Sequence, residues 1–317
     1  MEAREPAEGL ALFRMAVGLC VLAALLSVLV PHLEPVIWHG VEDGGYLDLA
    51  QGPWLVDLLG GPATSTVHGL IGAALLGGVG VVFGFGGRVT TFLTLQAFQA
   101  VTDLNPQAGG SYDYLLDNAL WLLVLGGGTQ TLSLDARLRT GTWRPEATVG
   151  SWSRWLVLYQ LVLVYWSTGL HKVSAHWTPA GGFSALYYTL QQPSWHRFDM
   201  SWLAHVYPLT QAATAGTWVF ELTSPLLLWI VWMHGRPRES STWVQRVHRA
   251  HLRRVWVSCG IALHMGIFLL MEVGPFTWIT LAYYLPIARG EEWKSTLERC
   301  LRGLSSSRDG ESRVQLG

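Results

Sequence analysis

Long apolar runs separated by short polar stretches set the pattern of this chain. Eight such segments are legible: Leu10–Val30, Thr66–Phe85, Val89–Val101, Tyr114–Gly127, Trp155–Leu170, Ala212–Trp232, Val255–Met271 and Phe276–Ala288. The longer ones match the ~20 residues a helix needs to cross a ~30 Å hydrocarbon core. The third, fourth and eighth are short, and tilt, extension into flanking polar residues or a partly re-entrant path would reconcile them with that thickness. The pattern predicts an all-α fold, a polytopic transmembrane helix bundle with about eight spans. Between the fifth and sixth segments, Gly182–Leu190 puts Phe183, Leu186, Tyr187 and Leu190 on one face, which predicts an amphipathic interfacial helix. Gly69–Gly78 offers small residues four apart, as close helix packing requires. Pro31-His32-Leu33-Glu34-Pro35 follows the first segment with no small-x-small cleavage site, so that segment is read as a retained helix and not as a signal peptide.

Basic residues fix an orientation. With the N-terminus in the cytoplasm, the inner connections carry Arg88; Arg137, Arg139, Arg144 and Arg154; Arg236, Arg238, Arg246, Arg249, Arg253 and Arg254; and Arg289, Lys294, Arg299, Arg302, Arg308 and Arg313. Arg4 and Arg14 bring the inner total to 19 of 21, leaving Lys172 and Arg197 outside. The positive-inside rule predicts this asymmetry, and a missed span would invert everything beyond it. The expected location is the cell membrane, multi-pass, with both termini cytoplasmic. The outer connection 31–65 carries Glu34, Glu42, Asp43, Asp48 and Asp57 and no Lys or Arg.

Composition agrees. Half of the residues are apolar and 14% are charged, against about 25% charged in a soluble domain. The formal net charge of −1 gives no reason to expect a nucleic-acid partner; the partners expected are the lipid bilayer and a lipid-soluble small molecule. Seventeen Trp and 35 Gly suit membrane interfaces and spanning helices. Cys20, Cys259 and Cys300 form no CxxC and read as small buried apolar side chains.

Ionisable residues inside spans are costly and mark candidate sites. Arg14 lies near the cytoplasmic end of the first segment, where it can snorkel to headgroups. His68 opens the second segment, Asp117 lies near the outer end of the fourth, and Glu221 and His264 sit at similar depth in the sixth and seventh. His171 and Lys172 join them at the outer end of the fifth, so the topology gathers an outward-facing pocket. If their helices are neighbours, Glu221 and His264 can satisfy one another as a polar floor with Lys172 above. A desolvated lysine offers a neutral amine as a base, but direct contact with Glu221 would hold it protonated. His176, His196 and His205 read as interfacial. There is no HExxH, Walker loop or nucleophile elbow, and the His248/His251 pair alone is weak evidence for a metal; no metal site is expected.

Tyr165-Trp166-Ser167-Thr168-Gly169-Leu170-His171-Lys172, with Trp177 and Gly182, resembles a segment of the membrane domain of vitamin K-dependent γ-carboxylase, the horizontally transferred transmembrane (HTTM) domain. Phe220-Glu221-Leu222 with Pro225 is similar to that family's Glu-containing helix. Leu263-His264-Met265, continuing to Gly274-Pro275-Phe276 and Tyr283-Tyr284-Leu285, is similar to its His-containing helix and the next span. Leu12-Phe13-Arg14 with Gly18 is similar to its first-span start. The resemblance covers roughly residues 8–290 as one transmembrane domain, leaving 291–317 as a basic cytoplasmic tail with a disordered end expected. It implies that Lys172 is the base that deprotonates a reduced, vitamin K-like quinone; with the residues that the topology gathers, Glu221 and His264 are the further catalytic candidates, and His171, Trp177, His68, Asp113 and Asp117 the candidates for substrate binding. It implies an enzyme acting on a quinol or another lipid-soluble or exported substrate; the alternative is a non-catalytic lipid or quinone binder, or a membrane partner in electron transfer or secretion. Asp113, in Ser111-Tyr112-Asp113-Tyr114-Leu115, stands where the carboxylase has histidine, which counts against carboxylation itself. The chain also stops soon after the last segment, which counts against propeptide-guided carboxylation of clotting factors.

Overall fold

The computed structural model describes residues 3–46, 52–237 and 241–314, with side chains through Arg302; Asp48 and Arg238 lie outside the described residues. In order the chain forms β1 (Arg4–Pro6), α1 (Glu8–Leu29), α2 (Glu34–Trp38), α3 (Trp54–Leu58), α4 (Thr64–Phe83), α5 (Gly87–Thr102), α6 (Ser111–Gly126), α7 (Leu134–Thr140) and β2 (Thr148–Gly150). It continues with α8 (Ser151–His171), α9 (Ala185–Leu190), α10 (Tyr207–Leu222), α11 (Leu226–His234), α12 (Thr242–Arg249), α13 (Leu252–Leu270), α14 (Phe276–Ala282) and α15 (Gly290–Val314).

All eight apolar segments are helical. Three runs among the described residues are long and apolar enough to cross a membrane: Glu8–Leu29, Thr64–Phe83 and Thr242–Leu270. The sixth segment is not one helix. It breaks between α10 and α11, and the pair is bent by 63°. The reason is local: Pro225 has no N–H to donate and disfavours a helical residue before it. It ends α10 and stands at the N-cap of α11. The eighth segment is α14 followed by a 3₁₀ turn, Leu285–Ile287. The interfacial helix starts later than its pattern suggests, because Gly182 and Phe183 both take left-handed φ, +65° and +53°. Backbone helix continues past Arg302 to Val314, where composition alone suggests disorder.

The chain divides into two compact units. One comprises residues 1–106, 116–155 and 285–317. In it β1 pairs antiparallel with β2, Arg4 opposite Gly150, and the Glu5 carboxylate accepts from Arg154 Nε at 2.9 Å with both side chains buried. Only part of the small-residue run is used for packing: a methyl on Gly77 would meet Thr94 and one on Gly78 would meet Leu22, whereas Gly69 and Gly72 face open space. Arg14 does not snorkel. It is 1% exposed and its guanidinium donates to the carbonyls of Gly128 at 2.9 Å, Val82 at 2.7 Å and Leu132 at 2.7 Å, and also to that of Val81. Val81 and Val82 lie in the last turn of α4, whose carbonyls have no helical donors left, so the cation caps that end.

The other unit comprises residues 107–115 and 156–284. Leu190, Met200 and Leu203 pack with Leu186, Tyr187, Val206, Leu270 and Met271. The loop between α9 and α10 is tied to the end of α13 by the His196–Met271 bridge and by Arg197 N–H donating to Leu270 O at 3.1 Å. Of the cysteines, Cys20 is buried, but Cys259 and Cys300 are exposed, which corrects the expectation of three buried thiols.

Candidate functional site

The site lies in the second unit and begins where α8 ends. Lys172 follows the last residue of α8, and Glu221 sits in the final turn of α10. Gly169, one turn before Lys172, lets the two helices meet: a Cβ there would fall 3.0 Å from Glu221 Cβ and 3.1 Å from Leu222 N. The result is a direct ion pair. Lys172 Nζ donates to Glu221 Oε2 at 2.5 Å, with side chains 17% and 9% exposed. Trp177 covers the ammonium, its ring centroid 4.8 Å from Nζ, an arrangement in which the ring's negative face adds attraction.

The pair closes one part of a cavity of about 410 Å³, within the range typical of small-molecule sites. Its other walls are mostly apolar, including Leu186, Leu190, Leu263, Ile267 and Leu270, and its remaining polar side chains are Thr189, Thr214 and Thr217. Sequence reasoning missed these threonines, which look like ordinary helix residues until α9 and α10 are placed.

His264 does not join Glu221, contrary to the polar-floor expectation. It is 1% exposed, and its Nε2 shares a hydrogen bond of 2.5 Å with the Tyr165 hydroxyl. The Tyr165 hydroxyl also bonds that of Tyr284 at 2.7 Å. Gly260 makes room for this chain, since a methyl there would fall 1.9 Å from the Tyr284 hydroxyl. Trp256 stacks on Tyr284 and meets Tyr165 edge-on. Glu221 and His264 were placed at similar depth, which is compatible with this arrangement, but helix rotation gives them different partners.

The HTTM domain model matches residues 3–293. The chain belongs to the HTTM domain family. It is therefore a membrane protein of the γ-carboxylase membrane-domain family. No curated protein and no solved structure matches it.

Within this HTTM domain the other sequence candidates fall away from the cavity lining. His171 is exposed, its Nδ1 2.7 Å from Ser167 O. Asp113 is buried and accepts from Gly110 N–H at 2.8 Å, which caps the start of α6. His68, edge-on to His39 at 5.0 Å, and Asp117 belong to the first unit. His176 is exposed and bonds Ser184 Oγ at 2.7 Å. Among the described residues, no group of three or more His, Cys, Asp or Glu could hold a metal.

Proposed function

We propose that this HTTM protein binds a lipid-soluble ligand with a neutral, hydrogen-bonding head and acts on that head through Lys172 and Glu221 together. The observation that carries this reading is the direct contact of the two side chains inside an otherwise apolar cavity. A lysine that donates to a carboxylate is an ammonium and has no lone pair for a proton, so Lys172 alone is not the base in this state. The carboxylate is the proton acceptor of the pair. A quinol hydroxyl entering the cavity would give its proton to Glu221, leaving a carboxylic acid and a phenolate, and the Lys172 ammonium would hold the new anion. The pair carries no net charge, so a ligand with its own anionic head gains little from it, whereas a neutral phenol can donate to one member and later be stabilised by the other. A reduced quinone fits this description; Asp113, standing in place of the family's histidine, argues for an outcome other than carboxylation.

The test is binding and turnover with defined naphthoquinols in nanodiscs. The wild-type chain should bind a reduced naphthoquinone and accelerate its loss of a proton or its oxidation in air, and Glu221→Gln should bind but not turn over. Binding without turnover in the wild type would favour the non-catalytic quinone or lipid binder. No binding at all would defeat both.

The same reading includes eight spans with both termini cytoplasmic and the cavity opening on the outer side, supported by the 19-to-2 division of Lys and Arg. Reporter fusions after Arg302 and after Arg197 should read as inside and outside respectively. A fusion after Arg302 that reads as outside overturns this topology.

A further inference from the structure

A second hollow adjoins the cavity. It measures about 530 Å³ and is lined by Ala213, Gly216, Thr217, Val219, Phe220 and Thr223 of the α10 segment with Cys259, Ala262 and Leu263 of α13. Ala213, Thr217, Ala262 and Leu263 line the cavity as well, so the two spaces share one wall. Small residues lie on and beside this boundary: Ala213 and Ala262 on it, and Gly216 and Cys259 in the hollow, are exposed, and a Cβ added at Gly216 or, on the cavity side, at Gly266 would meet nothing within 4 Å. The two helices therefore face each other across a seam of small side chains. Both belong to apolar segments of a membrane protein, so the outer side of this seam faces hydrocarbon rather than water.

We infer that the seam between α10 and α13 is a lateral entrance, and that the hollow on it holds the apolar tail of a ligand whose head reaches Lys172 and Glu221. This rests on the reading of the cavity as a site for a lipid-soluble ligand. The four lining residues common to the two spaces argue for it. An amphiphile drawn from the bilayer keeps its tail among apolar groups along the whole path, and only its head is transferred to the polar pair. Gly216 and Cys259 line the hollow and not the cavity, so they separate tail from head binding.

The experiment compares two oxidised probes on the full chain in nanodiscs: 2,3-dimethyl-1,4-naphthoquinone, which has no tail, and a menaquinone with an isoprenoid tail. Tail burial should make the menaquinone bind roughly tenfold or more tighter to the wild type. Gly216→Trp and Cys259→Trp, each at an exposed position, should remove this advantage and leave the tail-less probe unchanged. Unchanged menaquinone affinity in both Trp variants overturns the entrance while leaving the cavity reading intact. Failure of both probes to bind the wild type overturns the cavity reading, and the entrance with it; menaquinone binding no tighter than the tail-less probe overturns the entrance alone.

Discussion

Arg14→Ala is expected to be the most damaging single substitution outside the cavity. The side chain is fully buried and satisfies four carbonyls, two at the end of α4 and two in the loop 128–132. Its removal leaves buried acceptors without donors, each at a cost of about 1–3 kcal/mol. The four are neighbours, so the costs are not additive, and a total of roughly 3–5 kcal/mol is expected. That corresponds to a fall in melting temperature of roughly 10 °C, measurable by thermal unfolding in detergent. Arg14→Lys should lie between, because an ammonium is a point charge and cannot reach carbonyls spread around a planar fork. A variant Arg14→Ala that melts with the wild type would show that the carbonyls find water or other donors unaided.

The second large effect concerns Lys172 and Glu221, and it separates stability from function. Glu221→Leu strands an ammonium and should destabilise by roughly 3–5 kcal/mol. Lys172→Met should likewise destabilise, because it strands a buried carboxylate. The double variant, with two apolar residues of similar size, should recover most of the loss, since a buried ion pair gains little over well-packed hydrophobic groups once desolvation is counted. All three should fail to turn over a naphthoquinol. If the double variant is as unstable as the sum of the singles, the pair is not coupled and its contact has no bearing on either property. If the double variant retains turnover, the site lies elsewhere.

Helix existence was legible because apolar runs this long leave few alternatives. The break at Thr223-Ser224-Pro225 was hidden because small polar residues and one proline interrupt the run only briefly, and hydropathy averages over them. For Lys172, Glu221 and His264, counting residues from the helix ends gave depth, but depth says nothing of rotation about the helix axis. Tyr165 carried the missing signal. It precedes Lys172 by seven residues, about two turns, so it lies on the same face of α8, yet a buried tyrosine reads as core until a partner for its hydroxyl is found. The Arg14 cradle could not be read at all, since its acceptors are backbone atoms, two of them in a loop whose course depends on positive φ at Gly127, Gly128 and Leu132. The α10–α13 seam is defined by missing side chain, and alanine and glycine in an apolar helix read simply as packing.

The break after Leu222 changes the electrostatics of the cavity. An α-helix gathers about half a negative charge at its C-terminal end, in carbonyls without partners. Here two such ends meet, those of α8 at His171 and of α10 at Leu222, within reach of each other through Gly169. Glu221 therefore sits at the unfavourable pole of its own helix, and Lys172 at the favourable pole of both. Had the sixth segment continued straight through Pro225, α10 would have no terminus here and the glutamate would feel no such field. The two helix ends therefore add to the carboxylate in holding the ammonium, offset in part by the positive N-terminal pole of α11 at Leu226. With its ammonium committed to these partners, the site should offer little to phosphate or carboxylate headgroups from the surrounding lipid while admitting an uncharged phenol.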